Sequence, residues 1–157
     1  MRTSRIRPIA ICLFRNGQRI LVSEGFDPVK QRYFCRPLGG GIEFGESSQE
    51  AIAREILEET GQAIRNIQLL GVLENRFLYN GQLGHEIVFV YDAEFVDRTL
   101  YEQGEVAWCE HDGQETSETA IARWKTLVEM QQQHIQLVPE ELQQWLCGTS
   151  AIEEDPK

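Results

Sequence analysis

The sequence predicts an α/β fold in which a mixed β-sheet lies between helices. Short apolar or alternating segments, separated by the turn pairs Asn16-Gly17 and Asn80-Gly81, indicate several strands. A helix with distinct start and end signals is predicted over Ser48 to Thr60, and a second over Pro139 to Leu146. Strands interspersed with helices pack well as a sheet covered by helices, which favours this fold class.

Length and charge limit the function classes. The chain has 157 residues, and we expect a single domain over residues 1–149 followed by a disordered tail over 150–157. It carries 15 Lys and Arg against 25 Asp and Glu, a formal net charge of −10, which argues against binding a nucleic-acid backbone. The negative charge is still compatible with a nucleotide-like small molecule as substrate, because a metal ion can offset acidic charge locally. No apolar run approaches the ~18–20 residues that span a bilayer, so we expect no membrane segment.

The first third of the chain predicts strands joined by turns. Arg5 to Phe14 is predicted as a strand rather than a signal peptide, because its apolar run ends at Arg15 without a small-residue cleavage site. The segments that follow are a strand from Arg19 to Val22, a loop from Ser23 to Gln31, a strand from Tyr33 to Arg36, and an interruption of regular structure at Gly39, Gly40 and Gly41.

The central helix has clear ends. Ser47 and Glu50 fit a capping box, in which each side chain accepts a hydrogen bond from the backbone N–H of the other residue. Gly61 stands where a helix C-terminal glycine belongs. These signals predict a helix from Ser48 to Thr60.

The remaining segments predict two strand pairs. Ile67 to Tyr79 and His85 to Phe95 form a hairpin around Asn80-Gly81. The second strand alternates, so its odd-numbered and even-numbered residues face opposite sides of the sheet. Val106 to Glu110 and Thr119 to Trp124 form the other pair.

The four cysteines predict neither a zinc site nor a dependence on disulfides. Cys12, Cys35, Cys109 and Cys147 form no CxxC pair and have no histidine at metal-ligand spacing. A chain of this length with a full core does not need disulfides, so we expect reduced thiols and a cytoplasmic protein.

Three acidic residues share one face of the predicted helix. Glu55, Glu58 and Glu59 lie within one turn, where like-charge pairs cost about 0.2–0.5 kcal/mol each and the helix dipole disfavours acids. Glu55 and Glu59 also border the apolar arc, so we expect them to point towards the protein body. Such a row alone is usually a solvated face. A divalent cation bound by carboxylate oxygens would reverse these penalties, and oxygen ligands favour Mg²⁺ or Mn²⁺.

The glycine-rich segment before this helix completes a candidate site. Glycine lets backbone approach a ligand closely, and loop carbonyls can join the coordination sphere of a metal. Gly39, Gly40 and Gly41 next to an acidic helix therefore predict a site for a metal–phosphate complex. The chain has no GxxxxGK[ST] sequence, which excludes a Walker-type P-loop.

The spacing of these residues follows a longer pattern. Gly40 is followed after five residues by Glu46, and after seven more by Arg54-Glu55-Ile56-Leu57-Glu58-Glu59-Thr60-Gly61. This segment resembles the Nudix box of the MutT-like Nudix hydrolases at every glycine, glutamate and arginine position. Gln62 departs from the box, because an aliphatic residue is usual there. The resemblance implies the three-layer α/β/α sandwich of that family.

The resemblance also implies an activity. Nudix hydrolases cleave a diphosphate linked to another moiety, with Mg²⁺ or Mn²⁺ as cofactor. Glu55, Glu58 and Glu59 would be the metal ligands, together with the backbone carbonyl of Gly40. Glu58, or an acid from elsewhere in the chain, would remove the proton of the attacking water.

Arg54 and Glu46 complete the catalytic set that the resemblance implies, with Glu55 and Glu58. Arg54 would orient the acids through ion pairs, foremost with Glu46. The alternative is a surface pair between Arg54 and Glu50, which lie four residues apart on the helix.

Signals outside the box are weaker. Arg36 lies just before the glycines, where it could meet a phosphate, and Gly39 and Gly41 are candidate substrate contacts. Glu86 is the first candidate for an additional acid or substrate contact, with a solvent-facing strand residue as the alternative. The other candidate acids are Glu105, Glu110 and Glu118, and the aromatic residues considered for base stacking are Phe34, Phe44, Phe77 and Tyr79.

The box does not identify the substrate. Sugar nucleotides such as ADP-ribose, nucleoside triphosphates and dinucleoside polyphosphates are all compatible, so we expect a small-molecule nucleotide as partner. The alternative function is a non-catalytic Nudix-fold nucleotide-binding module, although such domains normally lack one or more box acids. Many members of the family are dimers, so a homodimer is compatible with the resemblance, but no sequence feature demands it.

Overall fold

The computed structural model describes residues 4–109 and 119–150 and confirms the predicted α/β class. Its strands are β1 (Ile6–Leu13), β2 (Arg15–Asn16), β3 (Arg19–Asp27), β4 (Arg32–Gly41), β5 (Ile64–Tyr79), β6 (Gln82–Phe95), β7 (Glu105–Cys109), β8 (Thr119–Thr126) and β9 (Gln136–Leu137). Its helices are α1 (Ser48–Thr60), α2 (Leu127–Gln132) and α3 (Glu141–Ser150), with a short 3₁₀-helix over Arg98–Tyr101.

Within the described residues the strands form one mixed sheet, in the order β5–β6–β1–β4–β3–β8–β7. β1 runs parallel to β6 and antiparallel to β4. Ile9 of β1 lies opposite Gly41 of β4, so the first residues of β1 border the last residues of β4. The chain therefore leaves β4 towards α1 at the end of the sheet where β1 begins.

Alternation along β1 divides the core into two layers. On one face of the sheet, the even-numbered residues of β1 pack against α1. On the other face, its odd-numbered residues pack against α2 and α3. The first layer includes Ala10, Cys12, Ile52 and Ile56, and the second includes Ile11, Leu13, Met130 and Leu142. This arrangement is the predicted sheet between helices.

The predicted bounds of α1 are confirmed. Ser47 Oγ accepts the backbone N–H of Glu50 at 3.1 Å, and Glu50 Oε2 accepts the backbone N–H of Ser47 at 3.4 Å. Gly61 has a left-handed φ of 72°, and its N–H donates to Leu57 O at 2.9 Å. Local sequence signals at both ends determine where this helix begins and ends.

The predicted hairpin of β5 and β6 is also confirmed. Asn80 and Gly81 have φ values of 50° and 73°, the two positive values that a type I′ turn requires. Because the turn has only two residues, pairing continues to Tyr79 and Gln82. β6 therefore begins three residues before its predicted start, and at the other end of the hairpin β5 begins three residues early, at Ile64 opposite Phe95.

The predicted loop over residues 23–31 is wrong in its first half, because β3 continues to Asp27, opposite Arg32 of β4. The carboxylate of Asp27 closes the turn by accepting the backbone N–H groups of Val29 at 3.0 Å and Lys30 at 3.1 Å. Burial alone would raise the pKa of Asp27, but these donors, together with the N–H of Asn80 and the charge of Lys30, lower the pKa. Side chain–backbone bonds here replace the Asn-Gly signal found at Asn16-Gly17 and Asn80-Gly81.

The predicted interruption of regular structure at Gly39, Gly40 and Gly41 is also wrong, because these residues end β4 and pair with β1. Gly39 has φ of 150°, and a Cβ added there would overlap Ala10 O and lie 2.7 Å from Ile11 Cα. Glycine is therefore needed at position 39 because the two strands approach so closely.

Gly39→Ala is expected to lower the free energy of unfolding by roughly 2–4 kcal/mol, because its Cβ meets backbone that cannot move aside. Urea unfolding followed by circular dichroism measures this loss. Gly104→Ala is the matched control, since no heavy atom lies within 4 Å of its added Cβ. Equal stability of the two variants would contradict the packing argument.

The C-terminal half of the fold differs from prediction in its helices. The predicted helix from Pro139 to Leu146 begins later, at Glu141, and Pro139 O accepts the N–H of Leu142 at 3.0 Å ahead of it. α2 was not predicted, although Thr126 and Glu129 form a capping box. Its six residues are too few to show helical periodicity in the sequence.

Some expectations fall outside the described residues or stay predictions. Glu110, Glu118 and residues 151–157 are not described, and the single-domain organisation stays a prediction.

Across residues 4–109 and 119–150 no helix combines the length and apolar character required to cross a membrane. Cys12 and Cys35 are buried thiols, and burial raises the pKa of Cys35 to about 11.

Candidate active site

Arg54 is the centre of a network that joins the loop before α1 to the acidic face of the helix. Its Nε and Nη2 donate to the two oxygens of Glu46, at 2.7 and 2.9 Å. Its Nη1 donates to Glu55 at 3.0 Å and to Glu58 at 3.1 Å. Nη2 also donates to the backbone carbonyl of Gly41 at 2.9 Å. One guanidinium thus links three carboxylates to the end of β4.

The pairing of Arg54 with Glu46 is bidentate and charge-assisted, the strongest type of side-chain hydrogen bond. The hydrogen bonds from Arg54 lower the pKa of Glu46, and those bonds in turn raise the pKa of Arg54. Within the described residues the ion pairs of Arg54 do not include Glu50, so the alternative surface pair is not observed. Both groups therefore stay charged at neutral pH.

Glu55 lies against the glycine segment. A Cβ added to Gly40 would lie 2.5 Å from the carboxylate carbon of Glu55, so only glycine leaves room for this side chain. The Glu55 side chain is 15% exposed. Burial raises its pKa, and the hydrogen bond from Arg54 opposes that effect. Gly40 and Glu55 therefore meet directly, although they lie on different elements.

The other two acids differ in burial. Glu59 is only 7% exposed, whereas the side chain of Glu58 is 44% exposed. The expected orientation of Glu55 and Glu59 towards the protein body agrees with their burial. α1 thus presents one buried, one mostly buried and one half-exposed carboxylate within a single turn.

The chemistry of this face fits a hard divalent cation. Glu55, Glu58, Glu59 and the backbone of Gly40 offer oxygen donors only, and the space above Gly40 holds a carboxylate that a Cβ would displace. Arg54 Nη1 binds both Glu55 and Glu58, and over residues 4–109 and 119–150 no three acidic, histidine or cysteine groups already converge as metal ligands. Cation binding would therefore require these carboxylates to reorient.

The glycine and arginine candidates for substrate binding have different surroundings. Gly41 positions Arg54 through its carbonyl, and Gly39 is constrained by β1. Arg36 is exposed on β4, opposite Ser23 and four residues before Gly40. The substrate contacts predicted for Gly39, Gly41 and Arg36 stay predictions.

Glu86 lies on a different face of the sheet from the acids of α1. It alternates with Val88 and Val90, which pack in the layer of α2 and α3. By register it lies opposite Arg7 of β1, and its carboxylate accepts Asn75 Nδ2 at 3.4 Å. The sheet therefore does not bring Glu86 to the acidic turn of α1, and its substrate role stays a prediction.

A β-turn between β4 and α1 exposes an aromatic ring. The N–H of Glu46 donates to Glu43 O at 3.0 Å, and Gly45 has φ of 85°, which places Phe44 at the outer corner. Phe44 is fully exposed. Two other stacking candidates instead contact each other, since Phe34 and Tyr79 have ring centroids 5.8 Å apart. Phe44 is thus the candidate most accessible to a ligand.

Sequence reasoning did not single out Arg7, which lies near the glycine end of β4 on the same face of the sheet as Glu86. Its Nη2 lies 3.9 Å from the position that a Cβ on Gly41 would take. Arg7 and Gly41 are far apart in the chain, and only the β1–β4 register brings them together. No local pattern around Arg7 could have indicated this contact.

The chain is similar to known proteins along most of its length. The family model of the NUDIX domain matches residues 5–146. The NAD-capped RNA hydrolase NudC of Mycobacterium tuberculosis is 33% identical over 105 residues, which cover 66% of this chain and 31% of that protein. NudC of Vibrio cholerae is 36% identical over 67 residues, or 43% of this chain and 24% of that protein. The chain thus spans less than a third of the length of these relatives.

Solved structures show the same fold. A NUDIX hydrolase from Nitrosomonas europaea superimposes with a TM-score of 0.55 at 21% identity, covering 88% of this chain and 85% of that one. A MutT protein from Bacillus halodurans has a TM-score of 0.50 at 23% identity, covering 80% and 72%. At these identities the likeness concerns the fold alone.

Proposed function

The chain belongs to the NUDIX hydrolase family, and from this premise we propose that it cleaves the diphosphate linkage of a nucleoside diphosphate derivative with Mg²⁺ or Mn²⁺. The observation that carries this proposal is the network around Arg54, which gathers Glu46, Glu55 and Glu58 beside the glycine end of β4. Without a ligand to stabilise, crowding Glu55, Glu58 and Glu59 in one helical turn costs stability.

Four groups of this chain would hold the metal. Glu55, Glu58 and Glu59 would supply carboxylate oxygens, and Gly40 would supply its backbone carbonyl. A cation bound there would neutralise the diphosphate charge and make a water molecule more acidic. Glu58 is half exposed, so solvent can reach it, and we assign it the role of proton acceptor for the attacking water.

Arg54 and Glu46 would act through the other acids. Their bidentate pair fixes the guanidinium against the loop, and the guanidinium then holds Glu55 and Glu58 on the side of Gly41. This pairing keeps both carboxylates on the face of α1 that borders the glycine segment, from which they would turn towards a bound cation.

The substrate class rests on shared chemistry. NUDIX hydrolases act on small-molecule nucleotides, and the relatives are named for hydrolysing NAD-capped RNA, whose NAD cap contains a diphosphate. This chain matches less than a third of those relatives, so their full activity does not transfer. Its net charge of −10 also disfavours long nucleic-acid contacts. We therefore propose a free nucleotide, such as ADP-ribose or a nucleoside triphosphate, as the substrate.

A substrate panel tests the proposal. ADP-ribose, NAD, nucleoside triphosphates, dinucleoside polyphosphates and an NAD-capped oligonucleotide are incubated with Mg²⁺, with Mn²⁺ or with EDTA, and products are separated by chromatography. We expect cleavage of at least one diphosphate linkage that EDTA abolishes. Thermal stabilisation by these ligands without cleavage of any would instead favour the non-catalytic binding module.

We further propose a cytoplasmic location, which the buried thiols of Cys12 and Cys35 support because disulfides are rare there. The homodimer stays a prediction. Light scattering at several protein concentrations would measure the mass of the species in solution.

A further inference from the structure

β5 (Ile64–Tyr79) forms an edge of the sheet. Within the described residues β6 is the only strand that pairs with it, so the other side of its backbone has no strand beside it. β5 has 16 residues, about three times the usual length of a strand. A long edge offers a row of N–H and C=O groups to which a further strand can pair.

The turn of the hairpin determines which groups of β5 point outwards. In a two-residue hairpin the residues that flank the turn, here Tyr79 and Gln82, bond to each other. Pairing alternates from there, so the even-numbered residues over 72–78 direct their backbone groups away from β6. The contact of Lys30 Nζ with Leu78 O, at 2.6 Å, agrees with this direction. The outward-facing groups belong to four residues whose side chains are all exposed: Val72, Glu74, Arg76 and Leu78.

This segment is complementary to a second copy of itself when the two copies pair antiparallel about Asn75. Glu74 then lies opposite Arg76 of the partner subunit, and Val72 lies opposite the partner's Leu78. Opposite charges and apolar side chains directly across a ladder both stabilise a sheet. Every such pair joins two residues of the same parity, so the outward-facing groups of one copy meet those of the other.

The side chains along this edge present an uncovered apolar surface. Val72 is 48% exposed and Leu78 is 54% exposed, and Leu83, which faces Leu78 from β6, is 74% exposed. A strand added beside β5 would cover part of this surface. Glu74 and Arg76 contribute one charge of each sign, so two copies meet less repulsion here than their net charge of −10 each would cause elsewhere.

We propose that β5 is a dimer interface, where two copies of the chain pair antiparallel about Asn75 and join their sheets. The self-complementary order of charges and apolar residues favours a second copy over an unrelated strand, because each contact then occurs twice. Lys30 occupies Leu78 O, so the outermost bonds of this ladder form only when its ammonium turns away. The ladder is therefore centred on Glu74 and Arg76.

Charge reversal tests the register. We expect sedimentation velocity over a range of micromolar concentrations to show a monomer–dimer equilibrium. Glu74→Arg and Arg76→Glu are each expected to raise the dimer Kd about 10-fold or more, because each places two like-charge pairs in every dimer. The double variant restores both pairs in reversed order, so its Kd is expected to return to within about 3-fold of the wild type. Arg19→Glu, at an exposed residue of β3, is the control with the same charge change as Arg76→Glu.

A cross-link tests the position of the two-fold axis. Asn75 would face its own copy in a non-hydrogen-bonded pair, where the Cα atoms lie about 4.5 Å apart, which is close enough for a disulfide. Cys147 is exposed, so it is first replaced by serine. In that background Asn75→Cys is expected to form a covalent dimer on oxidation with copper phenanthroline, whereas Glu74→Cys, which lies opposite residue 76, is not.

Two sets of results would contradict the interface. A monomer at every concentration would overturn the proposal and leave the edge of β5 to a strand of another protein. A dimer whose Kd is unchanged by both charge reversals, or equal cross-linking by the two cysteine variants, would also overturn it, because the copies would then meet at another surface.

Discussion

Glu55→Gln, Glu58→Gln and Glu59→Gln are each expected to lower Mg²⁺-dependent turnover by a factor of about 10² to 10⁴ while the protein stays folded. Glutamine keeps the size of the side chain and one oxygen but removes the charge that attracts a cation. Glu55 and Glu59 are more buried than Glu58. An exposed carboxylate nearby therefore cannot take over the metal-binding charge that either substitution removes.

The three substitutions differ in their effect on stability. Burying an ionised carboxylate is costly, so Glu59→Gln is expected to leave the melting temperature unchanged or raised. Glu58→Gln loses one ion pair with Arg54, which is a small loss for a half-exposed group. A variant that loses activity while keeping or gaining stability indicates an acid retained for chemistry.

Glu50→Gln supplies the control for this series. It makes the same chemical change one turn earlier on α1, at a residue whose side chain caps the helix. We expect its turnover to stay within about 2-fold of the wild type, since the amide oxygen can still accept the capping bond. Turnover by Glu55→Gln or Glu59→Gln at the wild-type rate would contradict the proposed mechanism.

Local signals explain why α1 could be predicted to the residue. The capping box of Ser47 and Glu50 and the left-handed Gly61 each act within four residues of the helix end. The same holds for the Asn80-Gly81 turn, whose φ values few other residue pairs adopt. The spacing of acids on α1 likewise predicted the face that turns towards the protein body.

Contacts between distant segments explain what could not be predicted. Gly39 looked like a break because glycine is rare within strands, whereas its real constraint is the backbone of Ala10. Glu86 was placed correctly in a strand, but only the sheet order shows that its face is the one without α1. Arg7 reaches Gly41 solely through strand register, which no short pattern encodes.

Gly40→Ala is expected to reduce kcat by about 10²-fold or more with little loss of stability. The added Cβ would lie 2.5 Å from the carboxylate carbon of Glu55, which is the far end of a flexible side chain. The carboxylate can therefore move away without disturbing the sheet, and the backbone of residue 40 does not require a positive φ. The substitution therefore displaces the carboxylate of Glu55, and a displacement of about 1 Å can lower the rate ~10²-fold.

Gly41→Ala is the matched control, because it adds the same methyl group one residue later. Its nearest contact is Arg7 Nη2 at 3.9 Å, an ordinary van der Waals distance, and its carbonyl can still accept the hydrogen bond from Arg54. We expect kcat on ADP-ribose within about 3-fold of the wild type and an unfolding midpoint close to that of Gly40→Ala. Steady-state kinetics measure kcat, and urea unfolding measures the stability, of both variants. Equal rates would show that the contact of Glu55 with residue 40 does not position the acid, whereas a stability loss confined to Gly40→Ala would assign that contact to folding.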